Sequence, residues 1–311
     1  MLAAILAGLG CEQTFDPKGT FEPALAVFSV LRTTTDTVSV RVHTTYNPVG
    51  FDPLERTTET DLSGALVTLQ SASESLVLSD TLIPHPDPSR YGDFLRVFSR
   101  HPWMATRGGV YTLTVSSPGY PTVSATTSVP KGPSQFYLTN SVLLNSPRSF
   151  SNLDINVLFK APPEAKGYLV RLVVEFELLS PPGSVRRAEI PVRIYESEGT
   201  IASIFPSIST LSASSDVVTY ASFRISAYVH AIAALISEYG VSNIRFRKAV
   251  VYLNLLDEPL YTYYSIVNGF RDEFSIRTDL PDYSNVTGGV GVFGSISLDS
   301  IQIPMNPSIQ F

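Results

Sequence analysis

The residues with the most versatile chemistry in this sequence are four histidines, and they are scattered along the chain. They are His43, His85, His101 and His230. A zinc site needs ligands that converge, as two histidines four residues apart do on one helical face. No pair of these histidines has that spacing, and no histidine follows a glutamate at the spacing of a metal-binding helix. We therefore expect no metal site and no cofactor.

Acidic side chains are the next candidates for catalysis. Asp272-Glu273 and the pair Asp279/Asp282 have the residue type that glycosidases use, but such carboxylates must face each other across a sugar. Acids in solvated turns explain these pairs more simply. The Gly-x-Ser-x-Gly motif of many hydrolases is absent. We expect no catalytic residue, and an envelope hydrolase with a noncontiguous site stays as the less favoured alternative.

A glycine-rich segment near the end of the chain matches the pattern Gly-x-Gly-x-x-Gly. It reads Gly289-Val-Gly-Val-Phe-Gly294. In dinucleotide-binding proteins this pattern opens a helix, whose backbone amides meet the pyrophosphate. Here Ser295-Ile-Ser-Leu-Asp299 follows, and its alternation predicts a strand. We expect these glycines to permit a bend, a bulge or a close approach of two backbones.

Three aromatic residues are the candidates for binding. Trp103 lies between cationic neighbours in a loop, where an amphipathic ring can anchor a partner. Tyr261 and Tyr263, together with Tyr264, cover more than one face of a predicted helix, so at least one of them should be exposed. Packing of these rings against the protein's own sheets is the alternative explanation for each.

Cys11 is the only cysteine, and it directly follows an apolar stretch at residues 1–10. Ten helical residues span about 15 Å, which is half the thickness of a bilayer's hydrocarbon core. The stretch is therefore too short for a transmembrane helix and resembles a bacterial lipoprotein signal, which is cleaved before a cysteine that carries lipid. This resemblance implies that a lipid on Cys11 anchors a soluble protein to a membrane.

Composition excludes one class of partner and favours one class of fold. The net charge is −6, so there is no basic field to attract nucleic acid. Hydrophobic residues make up 44% of the chain, whereas charged residues make up only 16%. Together with abundant Ser, Thr, Tyr and Val, these values favour a β-rich protein outside the cytoplasm.

Short β-type runs separated by turn residues fill the first half of the chain. We predict strands at residues 24–31, 37–46, 65–70, 75–79, 94–98, 110–116 and 122–128. Alternation is clearest at residues 38–43, where valines alternate with polar residues. Seven strands at this spacing predict an immunoglobulin-like or transthyretin-like β-sandwich.

The second half is predicted to be β-rich as well, with two helices. Longer strands are expected at residues 135–144, 153–160, 167–179, 187–196, 243–255, 291–298 and 300–303. Residues 226–239 have apolar positions at helical spacing and end at Gly240. A second helix should begin at Asp257, where Asp can cap it, and run to about Phe270.

Pro130-Lys-Gly-Pro133 is the best candidate for a domain boundary, because prolines interrupt both helices and central strands. We predict a signal and tether at residues 1–19, an N-terminal β-sandwich domain at 20–130, and a C-terminal domain at 131–311. The fold class is thus mainly β, with two antiparallel sandwich-like domains and two helices in the second.

Two passages near the C-terminus carry a family resemblance. They are Glu258-Pro-Leu-Tyr-Thr-Tyr-Tyr264 and Asn285-Val-Thr-Gly-Gly-Val-Gly-Val-Phe-Gly294. They resemble the signature of the Bacteroidota lipoproteins known as domain-of-unknown-function family 4249, in which a Tyr-rich helix precedes such a glycine segment. Gly64 to Leu69 and Gly109 to Val115 fit the same family.

The resemblance implies a location and a role, but no activity or binding residues. Members resemble outer-membrane lipoproteins that are often encoded beside TonB-dependent receptors. We accordingly expect a non-catalytic binding or accessory protein at the outer membrane, on either its periplasmic or its external face, with such a receptor as partner. Capture of a small glycan or peptide is the alternative, and a purely structural surface protein is a third.

Lipidation of Cys11 can be tested directly. Because an oxygen cannot replace the thiol that accepts the lipid, we expect Cys11→Ser to move the protein from the membrane fraction to the soluble fraction. Immunoblotting of the two fractions measures this shift. A protein that stays with the membrane after the substitution would contradict the anchor.

Overall fold

The computed structural model describes residues 20–48, 60–147, 152–197, 200–212, 217–269, 283–307 and 309. Cys11 and the acidic pairs at residues 272–273 and 279/282 lie outside these ranges. The strands are β1 Leu25–Arg32, β2 Val38–Thr44, β3 Leu66–Gln70, β4 Ser75–Pro84, β5 Phe94–Arg100, β6 Val110–Ser116, β7 Val123–Ser128, β8 Gln135–Thr139, β9 Asp154–Lys160, β10 Gly167–Leu178, β11 Ser184–Ile190, β12 Arg193–Ser197, β13 Thr200–Ile204, β14 Ser209–Thr210, β15 Thr219–Arg224, β16 Ile244–Leu256 and β17 Val290–Pro304. The helices are α1 Pro88–Tyr91, α2 Ile225–Tyr239 and α3 Glu258–Gly269, and Ser141–Leu144 forms a 3-10 turn.

Most strands belong to one large sheet. Its order is β11-β10-β16-β17-β1-β2-β5-β4-β3-β6-β7, and β14 pairs with β10 beside this path. A second sheet has the order β15-β9-β8, and β12 pairs with β13 in a separate hairpin. The prediction of a mainly β fold with two helices in the second half is confirmed.

The first hydrophobic core is formed mainly by side chains of strands β1 to β7. Strand β4 changes partner along its length: its first half pairs with β3 and its second half with β5. The sheet therefore folds over on itself and encloses side chains from both layers. Val40, Val67, Phe98, Leu113 and other members of this core are almost completely buried.

The second hydrophobic core lies between strands β10 and β16 and the three-stranded sheet. Strand β9 contributes Ile155, Val157 and Phe159 to it. Helix α2 covers one side with an apolar face that includes the fully buried Tyr228, whose hydroxyl donates to the carbonyl of Leu144 at 2.6 Å. Burial raises the pKa of Tyr228, so this phenol stays a hydrogen-bond donor.

Strand β17 serves both cores. Its first half runs parallel to β1, from the pair Ala26/Val290 to the pair Arg32/Ile296. Its second half runs antiparallel to β16, from Leu256/Ile296 to Lys248/Pro304. Consequently Phe293 of β17 is buried in the first core, while Ile303 packs against the second.

Asn285, just before β17, and Gly291, within it, make contacts that hold this segment in place and that depend on their residue types. A Cβ on Gly291, which has φ of +124°, would lie 2.0 Å from the carbonyl oxygen of Val27. The Asn285 amide brackets Phe293: its Nδ2 donates to the Phe293 carbonyl at 2.7 Å, and its Oδ1 accepts from the Phe293 N–H at 2.9 Å. The expectation that these glycines serve a strand and a close backbone approach is confirmed.

An ion pair also joins the two halves of the chain. Arg107 donates to Asp299 at 2.8 Å and to the carbonyl of Leu298 at 2.7 Å. Both side chains of the ion pair are partly exposed, so the pair contributes at most about 1 kcal/mol. Complete burial of a side chain such as Phe293 contributes about 2–3 kcal/mol, and the shared strand is thus the stronger connection.

Some strands end earlier than the sequence predicts. The strand expected at residues 135–144 stops at Thr139, because Asn140 has φ of +60°. The strand expected at residues 187–196 divides into β11 and β12 around Pro191, which lacks an N–H for the ladder. Among the described residues, every helix is too short or too polar to span a bilayer.

We expect Gly291→Ala to lower the free energy of unfolding by more than about 4 kcal/mol, at the top of the range for point substitutions. The reason is that a methyl group at this position would collide with the backbone of β1. Urea unfolding followed by circular dichroism measures the loss.

Gly183→Ala is the matched control. Gly183 also has a positive φ, of +84°, but an added Cβ would meet nothing within 4 Å. This variant should lose only about 1 kcal/mol, from the backbone conformation alone. Equal losses in the two variants would contradict the importance of the contact with Val27.

Candidate functional site

A cleft of about 280 Å³ lies beside helix α3, where β10 begins. Its walls come from separate segments of the chain: the turn after β9, the region around β14, the start of β15, and the first turn of α3. They consist of Ala161, Pro162, Pro163, Ala165, Lys166, Thr210, Leu211, Ser212, Val217, Thr219, Glu258, Tyr261 and Thr262. Because distant segments meet here, a ligand or a partner side chain could be contacted from several directions.

Tyr261, which sequence reasoning proposed as a binding residue, forms one wall of this cleft. Its ring lies directly over Gly167, where an added Cβ would come within 2.3 Å of Tyr261 Cδ2. Its hydroxyl lies 2.5 Å from Oγ1 of Thr210, which pairs with Gly167 in the sheet. Tyr261 thus closes the cleft on one side and stays partly exposed.

The cleft offers one positive and one negative group among several hydroxyls. Lys166 and Glu258 are both exposed at its rim. The Thr262 hydroxyl donates to the carbonyl of Glu258 at 2.8 Å. Burial, followed by the charges of Asp257 and Glu258, raises the pKa of Tyr283. With apolar walls from prolines and valine, the lining suits reversible binding of a polar group.

Asp257 holds the first turn of α3 in place. Its Oδ1 accepts from the backbone N–H of Leu260 at 3.0 Å, which is the geometry of an N-cap. Its Oδ2 accepts a short hydrogen bond from the hydroxyl of Thr127 in β7. Ser295 Oγ of β17 lies 3.1 Å from Thr127 Oγ1 and donates to the carbonyl of Ser128 at 3.1 Å.

Gly294 allows α3 to approach β17 closely. A Cβ on Gly294 would lie 2.8 Å from Cβ of Leu260 and 3.2 Å from Oδ1 of Asp257. Any larger residue would push the helix away from the strand and separate Asp257 from its partners. The wall of the cleft that α3 forms depends on this glycine.

Asp257 is a buried acid, with only 1% of its surface exposed. Burial raises its pKa above the ordinary value of 3.8, against the opposing effect of hydrogen bonds from Thr127, Ser295 and Leu260. A raised pKa is common in catalytic acids. Here both carboxylate oxygens are used in capping and cross-strand contacts, which assigns Asp257 a positioning role.

The other two aromatic candidates lie apart from the cleft. Tyr263 is partly exposed, and its ring packs edge-on against Tyr264 at a centroid distance of 5.6 Å. Trp103 packs on the first core, edge-on against Tyr111 at 5.4 Å. Its indole N–H donates to Glu74 at 2.8 Å, so both its apolar face and its polar group are already used within the chain.

Sequence reasoning missed Lys166, Thr210 and Glu258. Lys166 and Thr210 lie in stretches with little apolar periodicity, and only the pairing of β14 with β10 brings Thr210 to Tyr261. The sequence contains one signal for these three residues: Glu258 is a polar side chain at the start of a capped helix. No such signal marks Lys166 or Thr210. In the described ranges, no three His, Cys, Asp or Glu side chains come together as metal ligands would.

We expect Asp257→Asn to change how the free energy of unfolding depends on pH. The folded-state pKa of Asp257 is raised, so the folded protein binds its proton more tightly than the unfolded chain does. Its contribution is therefore complete at low pH and is lost as the pH rises from about 3.8 through the raised pKa. Urea midpoints between pH 3 and 8, measured for both proteins, give the difference.

Asparagine keeps an acceptor for Leu260 and a donor toward Thr127, so the variant should fold. In the wild type, titration of Asp257 lowers the free energy of unfolding as the pH rises through the raised pKa. The Asn variant should not show this decrease. Parallel curves for the two proteins would contradict a buried, titrating Asp257.

Comparison with protein-family models gives one result that fits this geometry. The model of the family described as domain of unknown function (DUF4249) matches residues 12–302, nearly the whole chain. No curated protein matches the sequence. The matched range includes the first core, helix α3 with its cleft, and all but the last few residues of β17 and of the second core. This chain is a member of the DUF4249 family.

Proposed function

We propose that this protein is a non-catalytic binding protein of the outer membrane, anchored by a lipid on Cys11. It acts as an accessory subunit of a larger envelope complex, with a TonB-dependent receptor as partner. The anchor keeps the folded part beside the membrane, and the cleft beside α3 makes the contact. This proposal joins the expectations from the sequence with the geometry of the cleft.

One observation carries the proposal. The segment through which the chain resembles its family, at residues 285–294, is used to seat β17 against β1 and to let α3 approach β17. Helix α3 in turn presents Glu258, Tyr261 and Thr262 to the cleft. Because the family signature at residues 285–294 positions helix α3, we infer that the function is located at the exposed side of this helix.

The chemistry of the cleft favours binding over catalysis. Catalysis by an acid needs a group whose oxygens can reach substrate. The buried Asp257 directs both oxygens into the protein, and the exposed Glu258 is the single acid among the described residues that line the cleft. What remains accessible is a lysine, a glutamate and hydroxyl groups, which are suited to hydrogen bonding and charge pairing with a partner.

Capture of a small ligand is the second candidate, and the size of the cleft allows it. A volume of about 280 Å³ is near the lower end of the range for small-molecule sites. A side chain from a protein partner would fill the same space. The two candidates therefore differ in what must be recovered with the native protein.

The test is extraction of the tagged, full-length protein in a mild detergent, followed by mass spectrometry of what copurifies. We expect a TonB-dependent receptor to be recovered. Lys166→Glu should reduce that recovery several-fold, because it reverses the exposed positive charge at the rim of the cleft.

Arg193→Glu is the matched control, since Arg193 is an exposed cation of β12 outside the cleft. It makes a comparable charge reversal and should leave the recovery unchanged. Recovery of the protein alone would contradict the accessory role and favour ligand capture. Equal recovery of the receptor with both variants would show that the cleft does not make the contact.

A further inference from the structure

The outer face of the three-stranded sheet carries a row of apolar side chains that no part of the described chain covers. Strand pairing places Tyr137 of β8 and Tyr220 of β15 on either side of Leu158 of β9. Side chains paired in this way point to the same face of a sheet. Tyr137 is 45% exposed and Tyr220 is 69% exposed, so both rings are accessible.

This row is distinct from the core that the same strands form on the other side. The inner face contributes Ile155, Val157, Phe159 and Phe223, all completely buried. Single exposed apolar residues are common on protein surfaces and need no explanation. Two tyrosines aligned across three strands, with an apolar residue between them, form a continuous strip.

Polar residues border the strip on both sides. One neighbouring row consists of Thr139, Asn156 and Ser222, with Ser222 Oγ donating to Asn156 Oδ1 at 2.7 Å. The other neighbouring row contains the pair Gln135 and Lys160. Hydroxyl and amide groups therefore lie on the same face of the sheet, two residues along the strand from each aromatic ring.

The dimensions of the strip suit an extended, linear ligand. Tyr137 and Tyr220 are two strands apart, so their positions are separated by about 9–10 Å. Beyond β8 and β15 the sheet has no further strand among the described residues. A linear molecule can therefore lie across the three described strands, from one tyrosine to the other.

A neutral sugar chain matches this pattern of chemistry. The flat side of a sugar ring presents C–H groups with partial positive charge, which are attracted to the negative face of an aromatic ring. Its hydroxyl groups point outward from the ring edge, where the polar rows would meet them. The rows contain one cation, Lys160, and no acid, and a net charge of −6 disfavours a polyanion.

We propose that the outer face of the β15-β9-β8 sheet binds an extended neutral oligosaccharide, with Tyr137 and Tyr220 as its stacking platforms. This site is separate from the cleft beside α3, and it does not depend on the partner proposed there. The sugar lies along the row from Tyr137 to Tyr220. The bordering polar side chains hydrogen-bond its hydroxyl groups.

The test is isothermal titration of the full-length protein with cellohexaose, xylohexaose and mannohexaose, in a detergent whose headgroup is not a sugar. We expect at least one of these to bind. Tyr220→Ala and Tyr137→Ala should each weaken that binding about fivefold to tenfold, the value of one aromatic stack. Tyr220→Phe keeps the ring and should bind nearly as the wild type does.

Tyr195→Ala is the matched control, because Tyr195 is 62% exposed but lies on β12, outside the row. It should bind as the wild type does. Binding of none of the three sugars, or unchanged binding by Tyr220→Ala, would overturn the proposal. A photo-crosslinking residue at position 220 that captures a protein, with no sugar bound, would assign the face to a protein partner and overturn it as well.

Discussion

The parallel contact between β17 and β1 is the constraint on which the rest of the structure depends. At Gly291 the two backbones approach so closely that no side chain fits between them. This contact sets the path of β17, which leaves the first core near Ser295 and continues beside β16 into the second. The relative placement of the two cores follows from the direction of a single strand.

The position of α3 follows from the same strand. Asp257 ends β16 and caps α3, and it reaches Thr127 of β7 and the neighbourhood of Ser295 on β17. Three elements that are distant in sequence meet at one buried carboxylate. A buried charge is costly unless it is hydrogen-bonded. The hydrogen bonds to Asp257 offset this cost and stabilise the arrangement in which α3, β7 and β17 meet.

Much of the fold could be predicted from the sequence, because local patterns determine it. Alternating valines mark β2, and apolar spacing with Gly240 as a stop marks α2. The cap at Asp257 was also readable, as was the strand that follows the glycine segment. These features depend on neighbours within a few residues, where sequence patterns are informative.

The candidate site could not be predicted in the same way, because it depends on pairing between distant strands. Tyr261 was visible as an aromatic residue on a helix, but its partner Thr210 lies in a two-residue strand without any pattern of its own. Trp103 was a candidate because of its residue type, yet its indole N–H already donates to Glu74 and its ring already packs against Tyr111. Residue type alone does not show which groups are already used inside the fold.

The sharing of β17 also determines the order in which the protein can fold. Strands β1 and β17 are far apart in the sequence, so the first core lacks Phe293 until β17 has been synthesised. Contacts over such long sequence separations form slowly. A fragment that lacks β17 therefore leaves the first core without Phe293 and the second core without Ile303.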